Sequence, residues 1–342
     1  MKLLVLGGTL FVGRHVVEAA LARGDDVTIF TRGRTNPGLF PEARRLTGDR
    51  DGDLSALRRG EWDAAVDTSG YFPRLVGASA ELLADRVGHY TFVSSSSVYA
   101  DHSRPGTNEA APVNTLPPDH PEELSSPQAY GGFKALAEQA AEAAMPGRVL
   151  AVRAGLIVGR DDPTNRFTYW VTRIARGGEV LAPEPRTQPV QLVDVRDLAE
   201  WILRMANERR AGVLNATGPE RPLTLEATLT GIRDGIDADA RFTWVGERFL
   251  IDAGVEAFQD LPLWLAPTVE PEWAGFLALD VSRAVADGLR FRPLAETARW
   301  TLEWARDAET PEKTTGVAMA PAGLSREREL ELLRDWRSQR AA

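Results

Sequence analysis

Apolar residues along the first two thirds of the chain gather into short runs separated by longer stretches of helical period. Lys2–Leu6, Asp26–Thr31, Arg44–Thr47, Ala64–Asp67, His89–Ser94, Arg148–Arg153 and Gln191–Val193 read as strands. Between them, apolar positions recurring at helical spacing predict helices over Val12–Arg23, Leu75–Asp85, Gln128–Ala144 and Arg196–Asn207. Short β-rich runs alternating with helices of ten or more residues are the pattern of βαβ units. The strands are nearly uniformly apolar, as they must be when helices cover both faces of a parallel sheet. The expected fold is therefore α/β, a Rossmann-type doubly wound parallel sheet.

The rest of the chain is less regular. Asp101–Pro127 is rich in Pro, His, Asn and Asp and is longer than an ordinary connection, which is typical of functional loops. After Asn215, Pro-rich loops mix with Trp244, Trp264, Trp273, Trp300 and Trp304, predicting a smaller, mixed C-terminal substrate domain. Ser325–Gln339 reads as a charged amphipathic terminal helix.

Composition narrows the chemistry. Absence of cysteine among 342 residues excludes thiolate metal sites, iron–sulfur clusters and a cysteine nucleophile. With 40 basic against 49 acidic residues, the net charge of −9 disfavours broad attraction to nucleic acid or anionic membrane. The apolar N-terminus stops at Gly7-Gly8, and no later run reaches the roughly 18 residues of a membrane span, so a soluble, cytoplasmic protein is expected. Lys2, Lys134 and Lys313 are the only lysines. A coding bias toward Arg accounts for that, yet it singles out positions where an amine was kept.

Between the first strand and first helix lies Gly7-Gly8-Thr9-Leu10-Phe11-Val12-Gly13. Glycines at such a turn let backbone amides approach a pyrophosphate at the positive end of a helix, which makes this a dinucleotide site. NAD-specific folds end the second strand with an acidic residue for the ribose. Here the segment is Thr31-Arg32-Gly33-Arg34, and guanidinium groups suit a 2′-phosphate, favouring NADP over NAD. Asp49 and Arg50, after the third strand, fall where adenine would be held, and Thr68-Ser69-Gly70 would line the other half of the cofactor.

Tyr130 and Lys134 lie one turn apart on a helix that starts at Ser126-Pro127. A nearby ammonium lowers the pKa of a phenol, so the pair is expected to form a tuned acid/base. Ser94 to Ser97 close the fifth strand at the sheet edge where open α/β folds bind ligands, and one of these hydroxyls is placed to hold the oxygen whose proton Tyr130 moves.

With these motifs the chain resembles the extended short-chain dehydrogenases/reductases, which include NAD(P)-dependent epimerases, dehydratases and reductases. The resemblance rests on the glycine turn, Ser94–Tyr99, Tyr130-xxx-Lys134, Arg153–Gly159, Val193–Ala199, Asn215–Gly218 and Leu279–Arg283. It implies that Ser95 is the active-site hydroxyl, Tyr130 the acid/base and Lys134 the ribose-binding lysine, with Ala154-Gly155-Leu156 passing the nicotinamide. It also implies a cofactor domain of residues 1–160 plus about 190–217, a substrate domain of about 161–189 plus 218–342, and a homodimer through Leu75–Asp85 and Gln128–Ala144. Two departures stand out. Leu10 replaces the third glycine of the usual turn, and Ser96 and Ser97 stand where dehydratases carry Asp and Glu. Dehydration is thereby disfavoured, leaving reduction, oxidation or epimerisation of a nucleotide sugar or another small ketone. The alternative is a non-catalytic dinucleotide-sensing or RNA-binding member of the superfamily.

Ser96, Ser97, Arg166, Phe167 and Trp170 are candidate substrate contacts. With Tyr169, Arg173 and Arg176, the last three form a face that suits a sugar diphosphate, an aromatic substrate, or plain helix packing. His15, His89, His102 and His120 show no metal-ligand spacing, although His102 and His120 sit in the loop before Tyr130. Asp194, Arg196 and Asp197 are expected to position the returning helix.

Overall fold

The computed structural model describes residues 1–307 and 322–341, so Lys313 lies outside the described residues. The first strand, β1 (Lys2–Leu6), alternates its side chains, Leu3 and Val5 entering one core and Leu4 and Leu6 the other. The sheet is thus covered on both sides. Along the chain follow α1 (Phe11–Ala22), β2 (Asp26–Thr31), β3 (Arg44–Thr47), β4 (Trp62–Asp67), α2 (Pro73–Leu83), β5 (Val87–Ser95), α3 (Pro127–Ala144) and β6 (Val149–Ala154). Next come β7 (Ile157–Val158), α4 (Arg166–Ala175), β8 (Gly178–Pro183), β9 (Pro189–Val190), β10 (Val193–Asp194), α5 (Val195–Asn207) and β11 (Gly212–Ala216). The last elements are β12 (Leu223–Thr224), α6 (Leu225–Gly235), β13 (Ala240–Val245), α7 (Glu247–Asp252), α8 (Ser282–Ala286), α9 (Leu294–Asp307) and α10 (Arg326–Ala341).

Seven strands form one parallel sheet in the order β3-β2-β1-β4-β5-β6-β11, the Rossmann-type arrangement expected. The order reverses between β1 and β4, which opens a ligand crevice at their carboxyl ends. One strand is placed differently from the sequence reading. Of Gln191–Val193 only Val193 lies in a strand, the two-residue β10 that pairs with β7, while the seventh sheet strand is β11. That strand begins with glycine and carries the wholly buried Asn215, a polar residue that masks its strand character. The fold satisfies Asn215 from far away: its Oδ1 accepts from the Tyr99 hydroxyl at 2.5 Å, and its Nδ2 donates to the carbonyls of Thr107 and Asp280.

A separate core joins α4, α6, β8, β13 and α10, with β13 parallel to β8. Glu329 on α10 is 1% exposed and ties that helix down, accepting from Arg173 Nε at 2.6 Å and from the Leu181 amide at 3.0 Å. Phe167 and Trp170 lie wholly inside this core, and Trp170 Nε1 donates to the Pro262 carbonyl. They are therefore corrected from substrate contacts to packing residues, because helical spacing turns both inward. Ala284 and Leu289, from the late part of the chain, pack into the sheet core instead. Asp194 caps α5 through the Arg196 amide and accepts from Thr297 on α9, which ties the sheet to the C-terminal helices. Arg292 supports the same junction by pairing with Asp197 at 2.7 Å. Among the described residues no helix is long and apolar enough to cross a membrane.

Candidate active site

At the turn after β1, Gly7 and Gly8 have φ of 105° and 94°, a region that glycine occupies without penalty. A Cβ on Gly13 would stand 2.6 Å from the Gly8 nitrogen and 2.6 Å from Thr68 Oγ1, so the helix start packs directly on the turn. Leu10 takes the N-cap position of α1 without any side-chain hydrogen bond and remains 37% exposed, followed by Phe11 at a φ of 25°. A helix start with no capping side chain leaves its first amides free for an anion. Asn36 Nδ2 holds the turn by donating to the Thr9 carbonyl. Arg32 and Arg34 are exposed beside Thr31, whose Oγ1 accepts from the Gly33 amide. The glycine turn and the uncapped helix start fit a dinucleotide phosphate.

Asp49 closes a small loop by exchanging backbone hydrogen bonds with Asp53. Arg50 departs from expectation. Its side chain turns inward and grips Asp67, at the end of β4, through Nη1 at 2.6 Å and Nη2 at 2.8 Å. Asp67 is wholly buried and also accepts from the Tyr90 hydroxyl at 2.7 Å and the Ser69 amide at 3.1 Å. Burial alone would raise the Asp67 carboxyl, but Arg50 overrides it and holds the group below its ordinary value. The Arg50 guanidinium is thus corrected from cofactor contact to buried counter-ion. Thr68 and Ser69 donate their hydroxyls to the Leu6 carbonyl and join the ends of β1 and β4.

Helix α3 begins as its sequence requires, with Ser126 Oγ accepting from the Ala129 amide and Pro127 in the first turn. A Cβ on Gly131 would meet the Ser97 carbonyl at 1.9 Å, so this glycine lets the Ser96–Val98 turn lie against the helix. Close approach brings Ser95 near Tyr130, near enough for its hydroxyl to pull the phenol's pKa down against the effect of burial. Ser95 Oγ accepts from the Ser97 amide and donates to Ser97 Oγ, whereas Ser96 is buried. In register, Ser95 on β5 stands opposite Ala154 on β6. Gly155 then follows against Thr217, its amide donating to the Ala216 carbonyl, and the Leu156 carbonyl accepts from Val193.

Lys134 is 4% exposed, and Nζ donates to the carbonyls of Gly70 at 2.8 Å and Val93 at 2.7 Å. Its ammonium also lies 4.2 Å from the Phe92 ring centroid. Burial dominates and lowers the amine to about 8, against the opposing pull of Asp67 and Glu138. Burial likewise raises the Tyr130 phenol to about 12, with a smaller contribution from Tyr71 and a lowering one from Ser95. The expected lowering of the phenol by Lys134 is not what this geometry produces, because the ammonium is directed at two carbonyls. A consequence for stability follows. An amine near 8 in the fold and 10.5 unfolded is protonated more readily in the unfolded chain between those values, so folding stability rises with pH across that window. The difference in unfolding free energy between wild type and Lys134→Met should grow by about 2–3 kcal/mol from pH 7 to pH 10.5 in denaturant titrations. A constant difference would contradict the depressed amine.

Several residues that shape this site were not among those singled out. Glu138, one turn beyond Lys134, accepts from Ser94 Oγ and forms a bidentate pair with Arg153, fixing α3 to β6. Its spacing from Lys134 was a usable signal. Tyr71 faces Tyr130 at a ring separation of 6.4 Å. The histidines divide: His15 pairs with Glu18, His89 meets Thr91 within the sheet, and His120 packs on Phe133. His102 alone of the four stacks in an aromatic group, 5.5 Å from Trp273.

Residues 73–217 match the model of the NAD dependent epimerase/dehydratase family, a span that includes Ser95, Tyr130 and Lys134. No curated protein matches the sequence significantly. Among solved structures, the Bordetella bronchiseptica enzyme WbmH in complex with NAD+ is 17% identical, with a TM-score of 0.62 over 90% of this chain and 98% of that one. Human epimerase family protein SDR39U1 (isoform2) with NADPH is 20% identical, with a TM-score of 0.60 over 89% and 99%. The UDP-N-acetylglucosamine 4-epimerase from Methanobrevibacter ruminantium M1 is 16% identical, with a TM-score of 0.63 over 90% and 98%. The family match over residues 73–217 agrees with the resemblance that the motifs carried, and the solved structures share the fold.

Proposed function

We propose that the chain is an NADP-preferring oxidoreductase that reduces a carbonyl compound at the Ser95–Tyr130–Lys134 cleft. The observation that carries this reading is the Tyr130 phenol set beside Ser95, one helical turn from an amine held by two main-chain carbonyls. Gly7, Thr9 and the uncapped start of α1 would hold the pyrophosphate, Arg32 and Arg34 the 2′-phosphate, and the remaining N–H of Lys134 a ribose hydroxyl. A bound NADPH supplies the hydride. Ser95 holds the substrate oxygen by hydrogen bond, and Tyr130 gives its proton to that oxygen as the carbonyl becomes an alcohol. With the phenol raised to about 12, Tyr130 is protonated at neutral pH and holds the proton that a reduction takes up. A protonated Tyr130 is the form that the reductive direction starts from. Dehydration is disfavoured, since Ser96 and Ser97 supply no carboxyl to move a second proton.

Equilibrium titration tests the cofactor preference. NADPH should bind at least tenfold tighter than NADH, and the double replacement Arg32→Ala, Arg34→Ala should remove most of that advantage. Tighter NADH binding, or an advantage unchanged in the variant, would refute the role given to these arginines.

A further inference from the structure

Ser94 on β5 and Arg153 on β6 stand opposite one another in register, and both donate to a single carboxylate, that of Glu138 on α3. Ser94 Oγ reaches Oε1, while Arg153 grips both oxygens, through Nε at 3.1 Å and 3.2 Å and through Nη2 at 2.8 Å. All three side chains are buried. This joint of one helix and two strands lies one step from the reacting hydroxyl, because the next pair in register is Ser95 with Ala154.

On the helix, Glu138 follows Lys134 by four residues, so the two side chains share a face of α3. The groups in direct contact with the Lys134 ammonium are neutral: the Gly70 and Val93 carbonyls, and the rings of Phe92 and Tyr71 at 4.2 Å and 5.6 Å to their centroids. The phenols of Tyr71 and Tyr130 are both raised by burial and stay protonated at neutral pH. Two carboxylates act on the amine through space, Asp67 from β4 and Glu138 from α3. Each is paired with an arginine, yet of the two arginines only Arg50 opposes its partner's pull on Lys134. The Arg153 guanidinium lies instead 4.9 Å from the Tyr99 ring centroid and donates Nη1 to the Glu109 carbonyl. A buried ammonium needs a counter-charge, and Glu138 supplies one on the same helix.

We propose that Glu138 is a positioning residue of the reacting site: its carboxylate holds the Ser95 strand against the helix of Tyr130 and is the counter-charge that keeps Lys134 an ammonium. The first role rests on the reductase reading above, whereas the second does not.

The scarcity of lysine makes the second role directly measurable. The full chain labelled with [ε-13C]lysine carries the label at Lys2, Lys134 and Lys313 alone, and the signal lost in Lys134→Met assigns the buried amine. Glu138→Gln, which keeps an acceptor for Ser94 but not the charge, should move the Lys134 titration to lower pH and cut the protonated fraction at pH 8 roughly threefold. That variant strands the buried Arg153 cation, so Glu138→Gln combined with Arg153→Gln provides a neutral pair with the same expected shift. Glu138→Asp retains the charge and should return the midpoint towards the wild type. Turnover tests the first role. Ser94→Ala leaves the carboxylate and its arginine in place, so the Lys134 midpoint should stay where it is, while kcat for a carbonyl that the wild type reduces should fall roughly tenfold at unchanged KM. An unmoved Lys134 midpoint in folded Glu138→Gln or in the double variant would overturn the proposal, as would wild-type kcat in Ser94→Ala. A moved midpoint in a chain whose wild type consumes no NADPH with any carbonyl would uphold Glu138 as the counter-charge and count against the reductase reading.

Discussion

Replacing Tyr130 by Phe should lower turnover by about 10²–10⁴-fold while leaving NADPH affinity within about twofold. The hydroxyl is the only part of the side chain removed. The ring, half-buried beside Tyr71, keeps its packing, and Lys134 keeps both main-chain acceptors. The loss should therefore fall on kcat, since the proton is transferred as charge develops on the substrate oxygen. Steady-state kinetics with a cofactor titration on the same preparation provide the check. Unchanged turnover would remove Tyr130 from the chemistry, and a parallel collapse of cofactor binding would recast it as structural.

The second large effect concerns stability. Arg50→Met should destabilise the fold by about 3–5 kcal/mol, because it leaves the wholly buried Asp67 carboxylate without its cation. Tyr90 and Ser69 would still donate to it, but neither carries charge. Combining Arg50→Met with Asp67→Asn should recover most of the loss, since a neutral pair removes the uncompensated ion. Denaturant unfolding of both single variants and the double variant closes the cycle. Additive losses would show that the two side chains do not depend on one another. The pair lies under the ends of β1 and β4, so the single variant should also loosen the crevice where the cofactor is proposed to sit.

Local signals explain what was legible in the sequence. Strands β2 and β3 fall where their apolar runs place them, and the start of α3 is announced by Ser126 and Pro127 within a few residues of the bonds they make. The glycine turn is equally local, since its conformation is written in Gly7 and Gly8 themselves. Partnerships across the fold were not legible. Arg50 reads as a cofactor contact until β4 supplies Asp67, and the strand that carries Asn215 has no reading of its own until Tyr99, Thr107 and Asp280 surround that residue. Phe167 and Trp170 look like a binding face in one dimension, because periodicity gives a helix an apolar side without saying whether ligand or core will cover it. The site follows the same division. Tyr130 and Lys134 stand out by their spacing and Ser95 through the resemblance, but the direction of the Lys134 ammonium depends on the Gly70 and Val93 carbonyls, which belong to other elements.

The most direct measurement of the central claim is the loss of nicotinamide absorbance when the chain and NADPH are mixed with a panel of small ketones and nucleotide sugars. Reduction at the Ser95–Tyr130–Lys134 cleft predicts stoichiometric conversion of NADPH and carbonyl to NADP+ and alcohol with at least one panel member, abolished by Tyr130→Phe. Interconversion of a nucleotide sugar without net cofactor consumption, or NADPH oxidation that persists in Tyr130→Phe, would contradict it.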